Sequence, residues 1–245
     1  MSPSKILGQF NRDLGCRINP EIVTARDNHL EIRNRLATEM GLEPSDECEE
    51  SAETLWNQDR LVVLVFQDRC PDLRYALYHE FSHCLNYDVN RELLLRSGSW
   101  LKEEEGTRKW LVGYGLKFWN EFIANRITTE VLGELGLDYF KFRERVFADR
   151  LDEYWTATFM GLFDFHSLEG MENEEASYFK KVMEILAMSD ELVISEELAE
   201  KLGATLNNWA IYRFFKIAGI GSDLDEVGRA ILYDKLRKLR KRKEV

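Results

Sequence analysis

The sequence is short of several things, and each shortage excludes a class of protein. No run approaches the roughly 20 consecutive apolar residues that a helical membrane span needs. The opening stretch, Met1 to Phe10, leads straight into Asn11-Arg12-Asp13 without the apolar core of a secretory signal. Cysteine occurs four times (Cys16, Cys48, Cys70, Cys84), never as a Cys-x-x-Cys pair. That scatter suits reduced thiols in a cytoplasmic protein and does not read as a disulfide framework. Positive charge is also scarce: 33 Lys and Arg face 44 Asp and Glu, giving −11 and a pI of about 5.0. Phosphate contacts need a basic surface, so general nucleic-acid binding is not expected. There is no phosphate loop, no Gly-x-Gly-x-x-Gly, no Gly-x-Ser-x-Gly and no His-Asn pattern to support a cysteine protease.

What is present is a chain of 245 residues, 44% hydrophobic and 12% aromatic, which can bury a sizeable core. The acidic balance is uneven. Lys235 to Lys243 holds seven basic residues and no acidic one, leaving −18 for the remainder (−11 less seven cations). Cations at a helix C-terminus complement its dipole, which accounts for such a tail without a partner.

The chain shows no internal repeat. Residues 42–54 are acidic and contain Pro44, Ser45 and Ser51, so they read as a loop. Before them, Leu30, Ile32, Leu36 and Met40 recur at near-helical spacing. Asp27 or Asn28 stands where a cap belongs, and Gly41 ends the segment. After the loop, Thr54-Leu55-Trp56 and Leu61 to Phe66 flank the polar Asn57 to Arg60, the pattern of a β-hairpin with a well-buried second strand. Cys70-Pro71-Asp72 reads as a helix start, with the helix over about 71–86. Further helices are predicted over about 116–135, 139–164, 173–189, 195–218 and 223–243. Strands are thus confined to the first third, an α+β layout that is mostly α.

Two of the chain's four histidines fall within five residues, His79-Glu80-Phe81-Ser82-His83, inside the predicted helix. Residues four apart share a helix face, so both imidazoles can aim at one point. Neutral imidazole binds zinc at about 2.0–2.1 Å. Glu80 can then reach a water held by the metal and take its proton as the water attacks a carbonyl carbon. Leu73, Leu77, Phe81 and Cys84 form a separate apolar stripe, which turns the histidines away from the core toward a cleft.

Catalytic zinc sites use three protein ligands and keep one position for water. Glu121, in Phe118-Trp119-Asn120-Glu121-Phe122-Ile123-Ala124-Asn125, is the best third ligand. Its apolar neighbours argue against a fully exposed face. Asn125, one turn on, can take the free ring N–H of a ligating histidine, and Ala124 leaves room for two helices to approach. For the oxyanion, Tyr114, Tyr154 and His166 are available, but each reads more simply as a core residue with a polar tip. Tyr114 lies between Gly113 and Gly115, which would let the segment flex as a lid. His29 belongs to the first turn of its helix, Cys84 is a small hydrophobe, and Cys70 at a helix start is expected to have a lowered pKa. The aromatic residues beyond Trp155 are most simply core.

His-Glu-x-x-His followed by Glu-x-x-Ala-Asn resembles the glutamate-zincin metallopeptidases. Among them it is most similar to the ImmA/IrrE-type intracellular proteases, which also place a β-hairpin before the motif helix. The resemblance covers about residues 50 to 135. It implies that His79, His83 and Glu121 bind zinc, that Glu80 is the general base, and that the strand at 61–66 or its neighbour is the edge along which an extended peptide lies. A zincin-like catalytic core over 1–135, with a small sheet and an active-site helix, is expected. A helical C-terminal region over 136–245 follows it, packed as one unit with the core or separate from it. The expected function is zinc-dependent hydrolysis of a protein or peptide substrate in the cytoplasm, away from membranes. The competing expectation is a zincin-fold regulatory or partner-binding module with little or no turnover. Oligomeric state is not legible.

Overall fold

The computed structural model describes residues 1–46, 48, 51–70, 72–100, 107–132, 173–186, 188 and 192–217. Among them are α1 (Pro3–Asp13), β1 (Glu21–Ala25), α2 (His29–Glu39), β2 (Ala52–Trp56), β3 (Leu61–Phe66), α3 (Leu73–Trp100), α4 (Thr107–Leu132), α5 (Asn173–Leu186) and α6 (Glu196–Ile217). The fold is α+β and mostly helical, with all described strands before residue 67. No described helix is long and apolar enough to cross a membrane. The helices predicted over 139–164 and 223–243, the boundary between 135 and 136, Tyr154, His166 and the basic tail lie outside the described residues.

The described chain forms two compact units. One holds the described residues of 1–99, 117–132 and 192–193; the other holds residues 100, 107–116, 173–186, 188 and 194–217. In the first, three strands run in the order β1-β3-β2. β1 is parallel to β3, while β2 is antiparallel to it, with Thr54 opposite Val63. The predicted hairpin is therefore present. Leu61–Phe66 is its central strand, buried from Val62 to Phe66, as a strand covered on both faces should be. Of the hairpin's two strands, only β2 can offer an edge.

Side chains alternate across the sheet. Val63 and Val65 pack with Ile6 and Phe10 of α1 and with Leu77, Phe81 and Cys84 of α3. Val62, Leu64 and Phe66 pack with Leu55 and with Leu36 and Met40, on and just after α2. The result is three layers: α2, the sheet, then α1 with α3. The helix α1 is an addition to the sequence reading. Pro3 suits a first turn, where its missing N–H costs nothing, and Ile6 and Phe10 at i, i+4 supply a narrow apolar face.

Local chemistry sets the helix ends. Asn28 does stand at the start of α2, but with a left-handed φ of 52° and no side-chain cap bond. Gly41, at φ 70°, takes the left-handed turn that ends this helix. Asp72 caps α3 through Oδ1, which accepts from the N–H groups of Arg74 and Tyr75 at 3.0 Å each. α3 runs to Trp100, well past the expected end near 86, and kinks at Asn90 (φ −115°, ψ 25°).

α3 buries more than its apolar stripe. Besides the stripe of Leu77, Phe81 and Cys84, it buries Tyr78, Glu80, Ser82, His83 and Asn86. From Leu77 to Tyr87 every residue but the half-buried His79 is buried. The later part of α4 covers its polar face, with Asn120 and Glu121 meeting Asn86 and the histidines.

The second unit holds the early part of α4 against α6. A Cβ on Gly115 would lie 1.9 Å from Ala199 O, and one on Gly203 would lie 1.9 Å from Leu111 O. Only hydrogen fits at either position, so these glycines permit a close helix crossing. The lid expected around Gly113 and Gly115 is instead continuous helix. Tyr114 is buried there and stacks on Trp110, with ring centroids 5.1 Å apart. Trp209 and Tyr212 of α6 are buried, as the core reading of the aromatic residues expects.

Candidate metal centre

Helical spacing on α3 brings His79 and His83 together, their Nε2 atoms 3.0 Å apart and their rings edge to face. α4 supplies Glu121, whose Oε2 stands 3.5 Å from His79 Nε2 and 3.6 Å from His83 Nε2. Those separations are too long for good hydrogen bonds. Indeed Glu121 Oε2 is buried and takes none, although a buried carboxylate oxygen left so costs free energy.

The two separations from Glu121 fit a metal ion, and the imidazoles, 3.0 Å apart, would part by a few tenths of an ångström to hold one. Donors arranged tetrahedrally around an ion at about 2.0–2.2 Å lie roughly 3.3–3.6 Å from one another. Two imidazoles and one carboxylate are the donor set of a catalytic zinc site. Among the described residues, these are the ones whose ligand atoms converge in this way.

The electrostatics match. Burial alone would lower the pKa of His79, but Glu121 and Glu80 outweigh it and raise the imidazole above its ordinary value. Burial pushes the Glu121 carboxyl up, but His83 and His79 outweigh it and hold the group below its ordinary value. The centre is thus a negative carboxylate facing two imidazoles, of which His79 is held basic.

Asn125 is nearly fully buried; its Nδ2 donates to Glu121 O at 2.8 Å, and its side chain also acts on His79. It therefore sits where a residue orienting His79 belongs. Ala124 is fully buried beside it, and Thr128 Oγ1 donates to Ala124 O at 2.7 Å. His83 Nδ1 is buried with no hydrogen-bond partner.

Glu80 is 7% exposed, and its carboxylate is held from the sheet side: Thr54 Oγ1 donates to Glu80 Oε2 at 2.6 Å. Sequence reading placed Thr54 in the hairpin without giving it a partner. The alternation of the hairpin carries a signal for it, because a residue opposite Val63 must face α3.

The structure brings His79, Glu80, His83, Glu121 and Asn125 together. His29 begins α2, as expected, and its Nε2 lies 2.7 Å from Asp68 Oδ1, away from this cluster. Cys84 is buried in the apolar layer. The expectation for Cys70 is reversed: burial, with Asp72 and Glu80 nearby, pushes its thiol up to about 11. The helix begins three residues after Cys70, and burial of the thiol, reinforced by the carboxylates, disfavours the thiolate.

No family model, curated protein or solved structure matches the chain.

Proposed function

We propose that the chain is a zinc-dependent metallopeptidase of glutamate-zincin type, most like the ImmA/IrrE proteases, acting on a protein or peptide in the cytoplasm. One observation carries the reading: two imidazole nitrogens and an unpartnered carboxylate oxygen converge within 3.6 Å, with a second carboxylate on the residue after the first histidine. His79, His83 and Glu121 would hold the metal and leave a position for water. Bound there, zinc supplies the Lewis acidity that makes water a nucleophile at neutral pH and polarises a carbonyl.

The chain's own residues do the rest. Glu80 accepts the proton of the attacking water at its carboxylate and returns it to the leaving amine nitrogen as the C–N bond breaks. Asn125 restrains His79. The peptide is taken along β2. Antiparallel pairs alternate between bonded and non-bonded, and Ser51 and Asn57 bond toward β3, so Ala52, Thr54 and Trp56 direct their N–H and C=O groups outward. No other described strand pairs with that side. An extended peptide adding there gains main-chain hydrogen bonds beside Glu80. None of the four cysteines is in a disulfide, in keeping with a reducing compartment.

The test is Glu80→Gln in zinc-loaded protein. Hydrolysis should fall about 10²–10⁴-fold, the usual contribution of a general base, while metal content stays the same. A partner bound equally by wild type and Glu80→Gln, with neither cutting it, favours the regulatory module instead.

A further inference from the structure

We propose that Thr54 is a positioning residue for Glu80, and that it ties the seat of the substrate to the orientation of the base. This rests on the peptidase reading given above. Thr54 Oγ1 stands 2.6 Å from Glu80 Oε2 and 3.1 Å from Glu80 O. A hydroxyl has one proton to give, and the shorter contact, to a carboxylate, is the stronger. Both residues are buried, Thr54 at 9% and Glu80 at 7% exposure, so the bond is little contested by water.

Its consequence is asymmetry. Oε2 is occupied by the strand, so Oε1 is the oxygen left to take a proton. A glutamate has three side-chain torsions, and a charge-assisted bond to one oxygen removes most of that freedom. Thr54 itself has little freedom. It is β-branched, it sits in the middle of β2, and its strand is registered against β3 by the pair Thr54 and Val63.

The same residue turns its main-chain N–H and C=O outward along the side of β2 with which no described strand pairs, as the alternation of the ladder requires. A peptide seated on that edge therefore bonds to the backbone of the residue whose side chain holds the base. Substrate register and base geometry then share one anchor. Trp56, two residues on, packs against Tyr87 of α3 with ring centroids 5.9 Å apart, and Tyr87 Oη donates to Asn57 O at 2.5 Å. These contacts fix the end of β2 to the helix that carries the motif.

Thr54→Val removes the hydroxyl and keeps the shape; Thr54→Ser keeps the hydroxyl. In zinc-loaded protein, Thr54→Val should lower kcat about 10–100-fold with KM and zinc content close to wild type, and Thr54→Ser should restore most of it. A second readout needs no turnover. In metal-free protein, the losses of unfolding midpoint from Thr54→Val and Glu80→Met, which has no oxygen to accept the Thr54 hydroxyl, should not add in the double variant, because each breaks the same bond. Additive losses, or an unchanged kcat in Thr54→Val against an active wild type, overturn the role of Thr54. A zinc-loaded wild type that cuts no peptide overturns the peptidase reading, and the catalytic part of this role with it.

Discussion

Two polar patches lie between α3 and the later part of α4, about one helical turn apart, and they are finished differently. In the first, Asn86 Nδ2 donates to Asn120 Oδ1, and Asn90 Nδ2 donates to Asn86 Oδ1 at 2.8 Å and to Leu192 O at 2.6 Å. None of these amides leaves a buried atom without a partner. In the second, His79, His83 and Glu121 face one another at 3.0–3.6 Å, and both Glu121 Oε2 and His83 Nδ1 lack partners. Closed networks hold helices together, and incomplete ones cost free energy unless something completes them. The asparagines are structure, with Asn90 at the kink of α3. The histidines and Glu121 are the candidate site, a cluster that could hold a metal ion.

That contrast can be broken, and the largest effect should come from Glu121→Gln. It keeps the shape of the side chain but replaces an anionic ligand. Zinc affinity should fall more than the roughly 10–100-fold that outer-sphere changes cost, as measured by competition with a chelator. At alkaline pH, where the His79 imidazole is neutral, the metal-free protein should meanwhile lose little stability, because Oε2 makes no hydrogen bond to lose.

Asn120→Ala should behave the other way. Removing the acceptor of Asn86 leaves a buried amide unpaired, at a cost of about 1–3 kcal/mol in denaturant unfolding, whether or not zinc is present. If Asn120→Ala instead abolished zinc binding with no loss of stability, the two patches would not be separate.

A smaller effect sharpens the comparison by pH. The Glu121 carboxyl is held below its unfolded value of about 4.3, so its contribution is present above that value and lost as pH falls through the lowered one. The His79 imidazole is held above its unfolded value of about 6.5, so its contribution is present below that value and lost as pH rises through the raised one. Metal-free stability should therefore gain most from this pair at mildly acid pH and decline toward alkaline pH. Zinc binding needs unprotonated imidazole and should weaken as pH falls, starting at a higher pH than an ordinary histidine would give. Chelator titrations and denaturant curves across that range check both trends; the asparagine patch contributes to neither.

Much of the site was legible because it obeys local rules. The i, i+4 spacing fixes where two histidines on a helix point, and turn residues at 57–60 fix a hairpin before it. Glu121 was legible from its company on an apolar helix. Other features depend on contacts distant in sequence. Thr54 acquires its role only once β2 is registered on β3 and α3 lies across that face. The pKa of Cys70 follows first from burial and then from the nearby Asp72 and Glu80, against the dipole rule that sequence suggests. The length of α3 exceeded its signal because Asn90 interrupts the helix geometry without ending the helix. Gly115 looked like a hinge because sequence does not show that α6 needs its bare Cα.

The most direct test is zinc in the wild-type chain, purified without chelator and measured for both stoichiometry and ligand shell by X-ray absorption. About one zinc per chain is expected, with two imidazole nitrogens and a carboxylate oxygen within about 2.2 Å. A chain that takes up no stoichiometric divalent ion, or one whose ion is bound by other ligands, would contradict the assignment of His79, His83 and Glu121 as a metal centre.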